Sequence, residues 1–321
     1  MAGGKERVLR RRINSVQSTK KITRAMELIA ATRVAKAQQR ANEARPYAEQ
    51  ITGVIQDLAE GGADVNHPLL RKVEQVRKVA FVVITSDRGL AGAYNSSVIR
   101  AAEREVQALR AEGGDYSLIL VGKKAESYFK FRGYRIEAAY HGMSDTPRFE
   151  DARTLAEKVG ELFIGGDVDQ VELVYTRFIS MGSQQVVVRR FLPLQTRERE
   201  TGGEALATFE FEPSPEGVLE ALLPRYVEAR LYAALLDAAA SEHANRQRAM
   251  KAATDNAEEL IIKLTRAMNR ARQDSITTEI MEIVGGAEAL RADQGDEEDL
   301  MLDHLFPEHL FPESPLSDFV R

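Results

Sequence analysis

QSTKKITRAMELIAATRV, residues 17–34, has the composition of a helix and almost none of the apolar weight of a core helix. Neither proline nor glycine interrupts it, and its alanine, glutamate, lysine, arginine and methionine all favour helix. A seven-residue frame extended outward in both directions aligns Ile13, Lys20, Glu27, Val34, Ala41, Ala48 and Ile55 at one seam position. Val16, Thr23, Ala30, Ala37, Ala44, Ile51 and Leu58 fall at the companion position. The second series is small or apolar throughout, which is the spacing of a coiled-coil seam. Lys20 and Glu27 interrupt the first series, and Ile22 and Met26 beside them offer a shifted face. The predicted helix runs from about Lys5 to Ala59, roughly 80 Å at 1.5 Å per residue. Pro46 should kink it, because proline removes a backbone donor and crowds the preceding turn.

So thin a seam needs a matching partner, and the other end of the chain supplies one. Ser214-Pro215-Glu216 reads as a helix start, with serine as N-cap, proline at the first helical position and acid in the first turn. This second helix is expected to continue to about Val284, where Gly285-Gly286 should stop it. That is roughly 105 Å, with a bend expected at Pro224. Ala257, Ile261, Leu264, Met268 and Ala271 form a stripe of mixed size, while Ser241–Asp255 carries almost none. The two helices can bury their stripes only by pairing antiparallel. The longer one should then project beyond the pair as an exposed polar helix, unstable in water unless a partner surrounds it.

Between them lies a turn-rich linker, GGADVNH (61–67), and then an α/β pattern. Strand-like runs VAFVVIT (79–85), YSLILVG (116–122), RIEAAY (135–140), VELVYTRF (171–178) and QQVVVRRFLPL (184–194) alternate with helices near 96–111, 124–132 and 149–163. Such alternation implies a mainly parallel, Rossmann-like sheet, and the last two strands are close enough to form a hairpin. The fold class is therefore α/β: an antiparallel coiled coil of long terminal helices with an inserted Rossmann-like domain. The divisions fall at 1–60, 61–213 (foot domain with linkers), 214–286 and an acidic tail, 287–321.

The 321 residues contain no cysteine and no tryptophan, which excludes disulfides, thiolate metal sites and cysteine nucleophiles. The start, MAGGKERVLRRRINS, has no apolar core of a secretory signal, and no run of 18 apolar residues follows, so a cytoplasmic protein is expected. Met1–Arg45 carries 12 basic and 3 acidic residues, a charge of +9, which suits nucleic acid, an acidic partner or a solvated helix face. The five histidines, at 67, 141, 243, 304 and 309, show no ligand spacing, and no nucleophile pattern stands near them. The turn SDRGLAGAYNSS follows a strand and precedes a helix, as phosphate loops do. It lacks GxGxxG and GxxxxGK[ST], so a plain strand-to-helix turn is the reading, with no cofactor or metal.

INSVQSTKKITRAMELIAATRV, TSDRGLAGAYN and AMKAATDNAEELI…NRARQDSITTEIMEIVGGAEAL together resemble the gamma subunit of F-type ATP synthases, over residues 1 to about 290. The resemblance implies a non-catalytic rotor shaft that stands on a ring of c subunits and rises through an α3β3 hexamer, with an epsilon subunit beside it. It implies a peripheral position at the cytoplasmic face of a bacterial membrane, coupling proton flow to ATP synthesis and hydrolysis. By position, it implies β-subunit contact at Met26, Arg246, Gln273 and Thr277, and c-ring contact at Phe209, Phe211 and Glu212. Family members often carry tyrosine where Phe209 and Phe211 stand, so packing survives there and a hydroxyl hydrogen bond does not. The alternative is a free-standing coiled-coil protein whose Rossmann-like domain binds a nucleotide or nucleic acid. Against nucleic acid stand the missing aromatic–basic interleaving and the net charge of −5. Beyond Leu290 the chain departs from the family, with an acidic stretch and a repeated HLFPE at 304–308 and 309–313. Extended chain is expected there, passive or docked on the hexamer through Leu305, Phe306, Leu310 and Phe311 as a brake on hydrolysis.

Overall fold

The computed structural model describes residues 2–60, 69, 75–194 and 215–293. In chain order they form α1 (Ala2–Glu60), β1 (Lys78–Ile84), α2 (Tyr94–Ala111), β2 (Asp115–Val121) and α3 (Lys123–Phe131). β3 (Ile136–Tyr140), α4 (Phe149–Ile164), β4 (Gln170–Phe178), β5 (Gln184–Leu192) and α5 (Pro215–Asp293) follow. The chain divides into two compact units. One is Gln17–Glu258; the other joins α1 up to Val16 with α5 from Glu259 onward. Phe209, Phe211, Glu212 and the tail beyond Asp293 lie outside the described residues.

In the larger unit the strands make one sheet of order β3-β2-β1-β4-β5. β1 pairs parallel with both β2 and β4, β2 pairs parallel with β3, and β4–β5 is the antiparallel hairpin expected from the short connection. Side chains alternate with the period of the pleat. Val79, Phe81, Val83, Leu118 and Leu120 face α2 and α3, around the fully buried Phe129. Ala80, Val82, Ile84, Ile119, Val121 and Leu173 face the other way, onto α4, Ile51 and Ile55 of α1, and Leu219, Leu223, Leu231 and Leu235 of α5. The early part of α5 is thus one layer of the domain core.

Three strand ends converge on Gly122, which has φ +95°. Its N–H donates to the Tyr140 carbonyl at 2.8 Å, and beside it Thr85 N–H donates to the Val121 carbonyl at 2.8 Å. A Cβ here would lie 2.4 Å from the Thr85 carbonyl oxygen, so only glycine fits both the dihedral and the space.

Within the same unit α1 and α5 run antiparallel. Lys20 pairs with Glu258 at 3.1 Å, and the Thr23 and Thr254 hydroxyls lie 2.8 Å apart. The strict heptad frame is the one observed. Thr23, Glu27, Ala30, Val34, Ala37, Ala48, Ile51 and Ile55 are buried, while Ile22, proposed for a shifted face, is 60% exposed. Lys20 and Glu27 stay in the seam because each charge has an answer: Lys20 reaches Glu258, and Arg24 donates to Glu27 at 2.9 Å.

In the smaller unit Ile13, Leu264 and Ala271 are buried, and Lys5 and Leu9 share a groove with Lys263, Arg266, Ala267, Arg270, Ala271 and Asp274. Residues 276–290 of α5 are exposed throughout, including Ile276, Ile280, Met281, Ile283 and Leu290. The expected stop at Gly285-Gly286 does not occur, and α5 continues to Asp293. Neither glycine takes the positive φ of a C-cap, and the strong formers AEALRA that follow outweigh a glycine penalty of about 1 kcal/mol each.

Candidate functional site

In a doubly wound sheet a ligand sits beyond the carboxyl ends of the strands, where connections leave toward opposite faces. That switch point is here at β1, between β2 and β4, and α5 already fills it. The Ser241 hydroxyl donates to the carbonyl of Thr176 on β4 at 3.1 Å. Arg246 Nη2 donates to the Gly89 carbonyl in the β1–α2 turn at 3.3 Å. Asn245 Nδ2 donates to Gln184 Oε1 at 3.4 Å, and Arg248 Nη1 to the Gly182 carbonyl at 3.0 Å. So close an approach needs a small face, which Ala238, Ala239, Ala240, Ser241 and Ala244 provide, all at most 2% exposed. The segment from Ser241, which has no apolar stripe, is therefore not a projecting polar rod. Its first two turns are buried against the sheet domain.

The backbone donors of the β1–α2 turn at Ser86 and Asp87 are taken within the fold. Ser86 N–H donates to Asn95 Oδ1 at 2.9 Å. Asp87 accepts from Lys123 N–H at 3.0 Å, at the start of α3, and from Gly142 N–H at 2.8 Å. Leu90 stands at φ +62°, in the left-handed region, and is 63% exposed.

At the centre of the filled crevice lies a buried polar cluster. Glu242 and Arg246, 1% and 7% exposed and one turn apart on α5, pair at 2.6 Å. His243 Nε2 is 3.0 Å from the Asp145 carbonyl, which only accepts, so Nε2 carries the proton. Its Nδ1 is then free to accept from Arg246 Nη1 at 3.3 Å. The imidazole is neutral, in keeping with burial, which pushes its pKa below the ordinary histidine value. Asp145 is gripped by both oxygens by Arg33 of α1. Burial pushes Glu242 up to about 7 even though Arg246 pulls it down, and Oε2 has no hydrogen-bond partner. Burial, and next the Glu242 charge, raise the Tyr94 phenol well above its usual value.

Asp145, Glu242 and His243 bring ligand-type atoms within 4.8 Å of one another. They do not form a metal site: both imidazole nitrogens and both Asp145 oxygens are engaged, and two guanidinium groups oppose a cation.

The raised value of Glu242 fixes a sign. The folded chain binds this proton more tightly than the unfolded one. The resulting stabilisation is complete below about 4.5 and is lost as pH rises through about 7. Glu242→Gln removes that slope, which amounts to about 3 kcal/mol across the window. Urea midpoints from about pH 5 to about pH 8 should fall less in the variant than in the parent chain. Asp237, raised by burial to about 6, leaves a residual slope. Parallel curves for the two chains would refute the assignment to Glu242.

Of the four residues expected at a β-subunit contact, Met26 and Arg246 lie in the larger unit and Gln273 and Thr277 in the smaller. Met26 is half-buried on α1, beside Ile22 and Ile29, which are 60% and 53% exposed. Gln273 and Thr277 are exposed in the smaller unit. Arg246 lies inside the larger unit, where Glu242 and the Gly89 carbonyl take its donors. Glu242 was missed by sequence reading. Its only signal was an acid four residues before a base on a helix lined with alanine and serine.

Two long antiparallel helices carry a sheet domain whose ligand crevice is plugged by one of them. That arrangement is a coiled-coil shaft joined to an α/β domain. The family described as ATP synthase matches residues 5–290. The ATP synthase gamma chain of Frankia casuarinae is 53% identical over 294 residues, covering 89% of this chain and 98% of that one. The gamma chain of Kineococcus radiotolerans is 50% identical, over 89% and 97%. Among solved structures, a chain of the Tetrahymena thermophila mitochondrial ATP synthase central stalk and c-ring has TM-score 0.57 at 25% identity, covering 72% of this chain and 99% of its own. A chain of the Euglena gracilis mitochondrial enzyme, with TM-score 0.66, 20% identity and coverage of 93% and 99%, shares the fold. The chain belongs to the ATP synthase gamma-chain family, and its role is that of the rotor stalk. None of its described helices is long and apolar enough to cross a membrane.

Proposed function

We propose that the filled crevice is the joint through which torque passes between the foot domain and the shaft. The observation that carries this is the set of contacts from Ser241, Asn245, Arg246 and Arg248 to three segments of the sheet domain. A helix held by its backbone-facing small residues and by charged hydrogen bonds cannot slip along the sheet without breaking several bonds together. In this reading the foot stands on the c ring through Phe209, Phe211 and Glu212, with an epsilon subunit alongside, and the shaft turns within an α3β3 hexamer. Met26, Gln273 and Thr277 meet a β subunit directly; Arg246 does so only after leaving Glu242. The subunit catalyses nothing itself, binds no nucleic acid, and sits peripherally at the cytoplasmic face of a bacterial cell membrane. Each shaft orientation favours different β conformations, and only such unequal contact shifts their equilibrium.

The chain itself has no cysteine, so two introduced thiols are the only ones on it. Gly182→Cys with Arg248→Cys, joined by a short thiol-reactive cross-linker in the assembled enzyme, fixes α5 to the foot. ATP-driven proton pumping should persist after cross-linking. If pumping stops while assembly is intact, foot and shaft must move against each other, and the joint reading fails.

A further inference from the structure

We infer that Glu242 is a proton-linked positioning residue for Arg246: the guanidinium leaves the Gly89 turn only as the Glu242 carboxylate takes up a proton from solvent. Release of Arg246 toward an acidic side chain of a partner subunit is then favoured by falling pH. The partner, though not the linkage, rests on the reading of Arg246 as a contact residue.

The geometry leaves Glu242 a single counter-ion. On its own helix it faces Arg246 at 2.6 Å and the neutral His243. The β1–α2 turn presents Asp87, the start of α2 presents Tyr94, and the β3–α4 loop presents Asp145, so every other group acting on it is acidic or neutral. α1 contributes Arg33, which is tied to Asp145. Oε1 is used by Arg246, and the buried Oε2 has no partner. If Arg246 swung out, a carboxylate 1% exposed would remain with two acids and no cation of its own. Such a charge does not persist in a buried site; it takes a proton instead. Arg246 is the group that holds the carboxyl down to about 7, so its departure moves the value further up. Between the two values each fall of one pH unit favours release by up to about tenfold.

The experiment uses the full chain and phenylglyoxal, with exposed Arg248 as internal reference. The ratio of modification at Arg246 to that at Arg248, read by mass spectrometry, cancels the reagent's own pH dependence. From about pH 8.5 to about pH 6.5 the ratio should rise several-fold in the parent chain and stay flat in Glu242→Gln. A flat ratio in the parent, or an unchanged slope in the variant, overturns the proposal. Should Glu242→Gln fail to fold, the protonated-carboxyl infrared band decides: it should persist to higher pH in Arg246→Ala than in the parent, and an identical titration refutes the linkage. The two readings fail separately. If Arg246→Ala leaves turnover of the assembled enzyme unchanged while the modification slope holds, the contact is wrong and the latch stands. Lost turnover with a flat ratio means the reverse.

Discussion

Gly122→Ala leaves the chain with a sheet domain that no longer closes. At φ +95° an L side chain is strained, and the added Cβ would meet the Thr85 carbonyl oxygen at 2.4 Å and its carbon at 2.7 Å. These are backbone atoms of the strand end that hydrogen-bonds to Val121, so relief means pulling β1 and β2 apart where β3 also joins. Strain of this kind contributes about 1–3 kcal/mol, and the lost hydrogen bonds about 1 kcal/mol each. A total near 4 kcal/mol is a large part of the stability of an ordinary domain. The expected result is a lower urea midpoint, with helix content from α1 and α5 outlasting the near-ultraviolet signal of the sheet tyrosines. A midpoint within error of the parent would show that the β2–α3 turn adjusts in a way the geometry does not allow for.

Met26→Lys acts on coupling and leaves the fold intact. The side chain is half-buried and adjoins Ile22 and Ile29, which with it form an apolar line at positions i, i+4 and i+7, outside the α1–α5 seam. A lysine here keeps its stem on that line and carries its ammonium outward. If the face passes an acidic β-subunit surface, the new charged hydrogen bond is worth about 1.5–3 kcal/mol in one shaft orientation. That biases the population of orientations by about 10- to 150-fold. Protons pumped per ATP hydrolysed should therefore drop much more than hydrolysis itself. Equal losses in the two assays would point to a weakened seam instead.

The seam, the order of helices and strands and the parallel sheet were legible in the sequence because each rests on a periodicity: seven for α1, two for the strands. Burial of Glu27 and exposure of Ile22 show the limit of that reading. A charge is tolerated in a seam when Arg24 stands three residues away, and the shifted face that Ile22 offered is not the buried one. The helix end failed for a related reason, since Gly285-Gly286 stops a helix only if one of them turns left-handed, and composition does not report φ. The site was the least legible part. Its residues lie on α1, the β1–α2 turn, the β3–α4 loop and α5, and no local pattern announces that Arg33, Asp145, Glu242 and Arg246 meet. Arg246 was singled out by position, but its burial against Glu242 was not legible, because an exposed arginine and a buried one look the same in a sequence.

The Thr23–Thr254 pair joins positions 231 residues apart, with the whole sheet domain between them. A ribosome working at about 5–20 residues per second makes the first of these threonines roughly 10–50 s before the second. During that interval the first helix has emerged with its seam uncovered, and the β1 crevice stands open until Ser241 and Glu242 arrive. Nascent chains of this protein should therefore be clients of chaperones that shield thin amphipathic helices. Loss of such help should lower yield through aggregation of incomplete chains and leave the stability of finished ones unchanged.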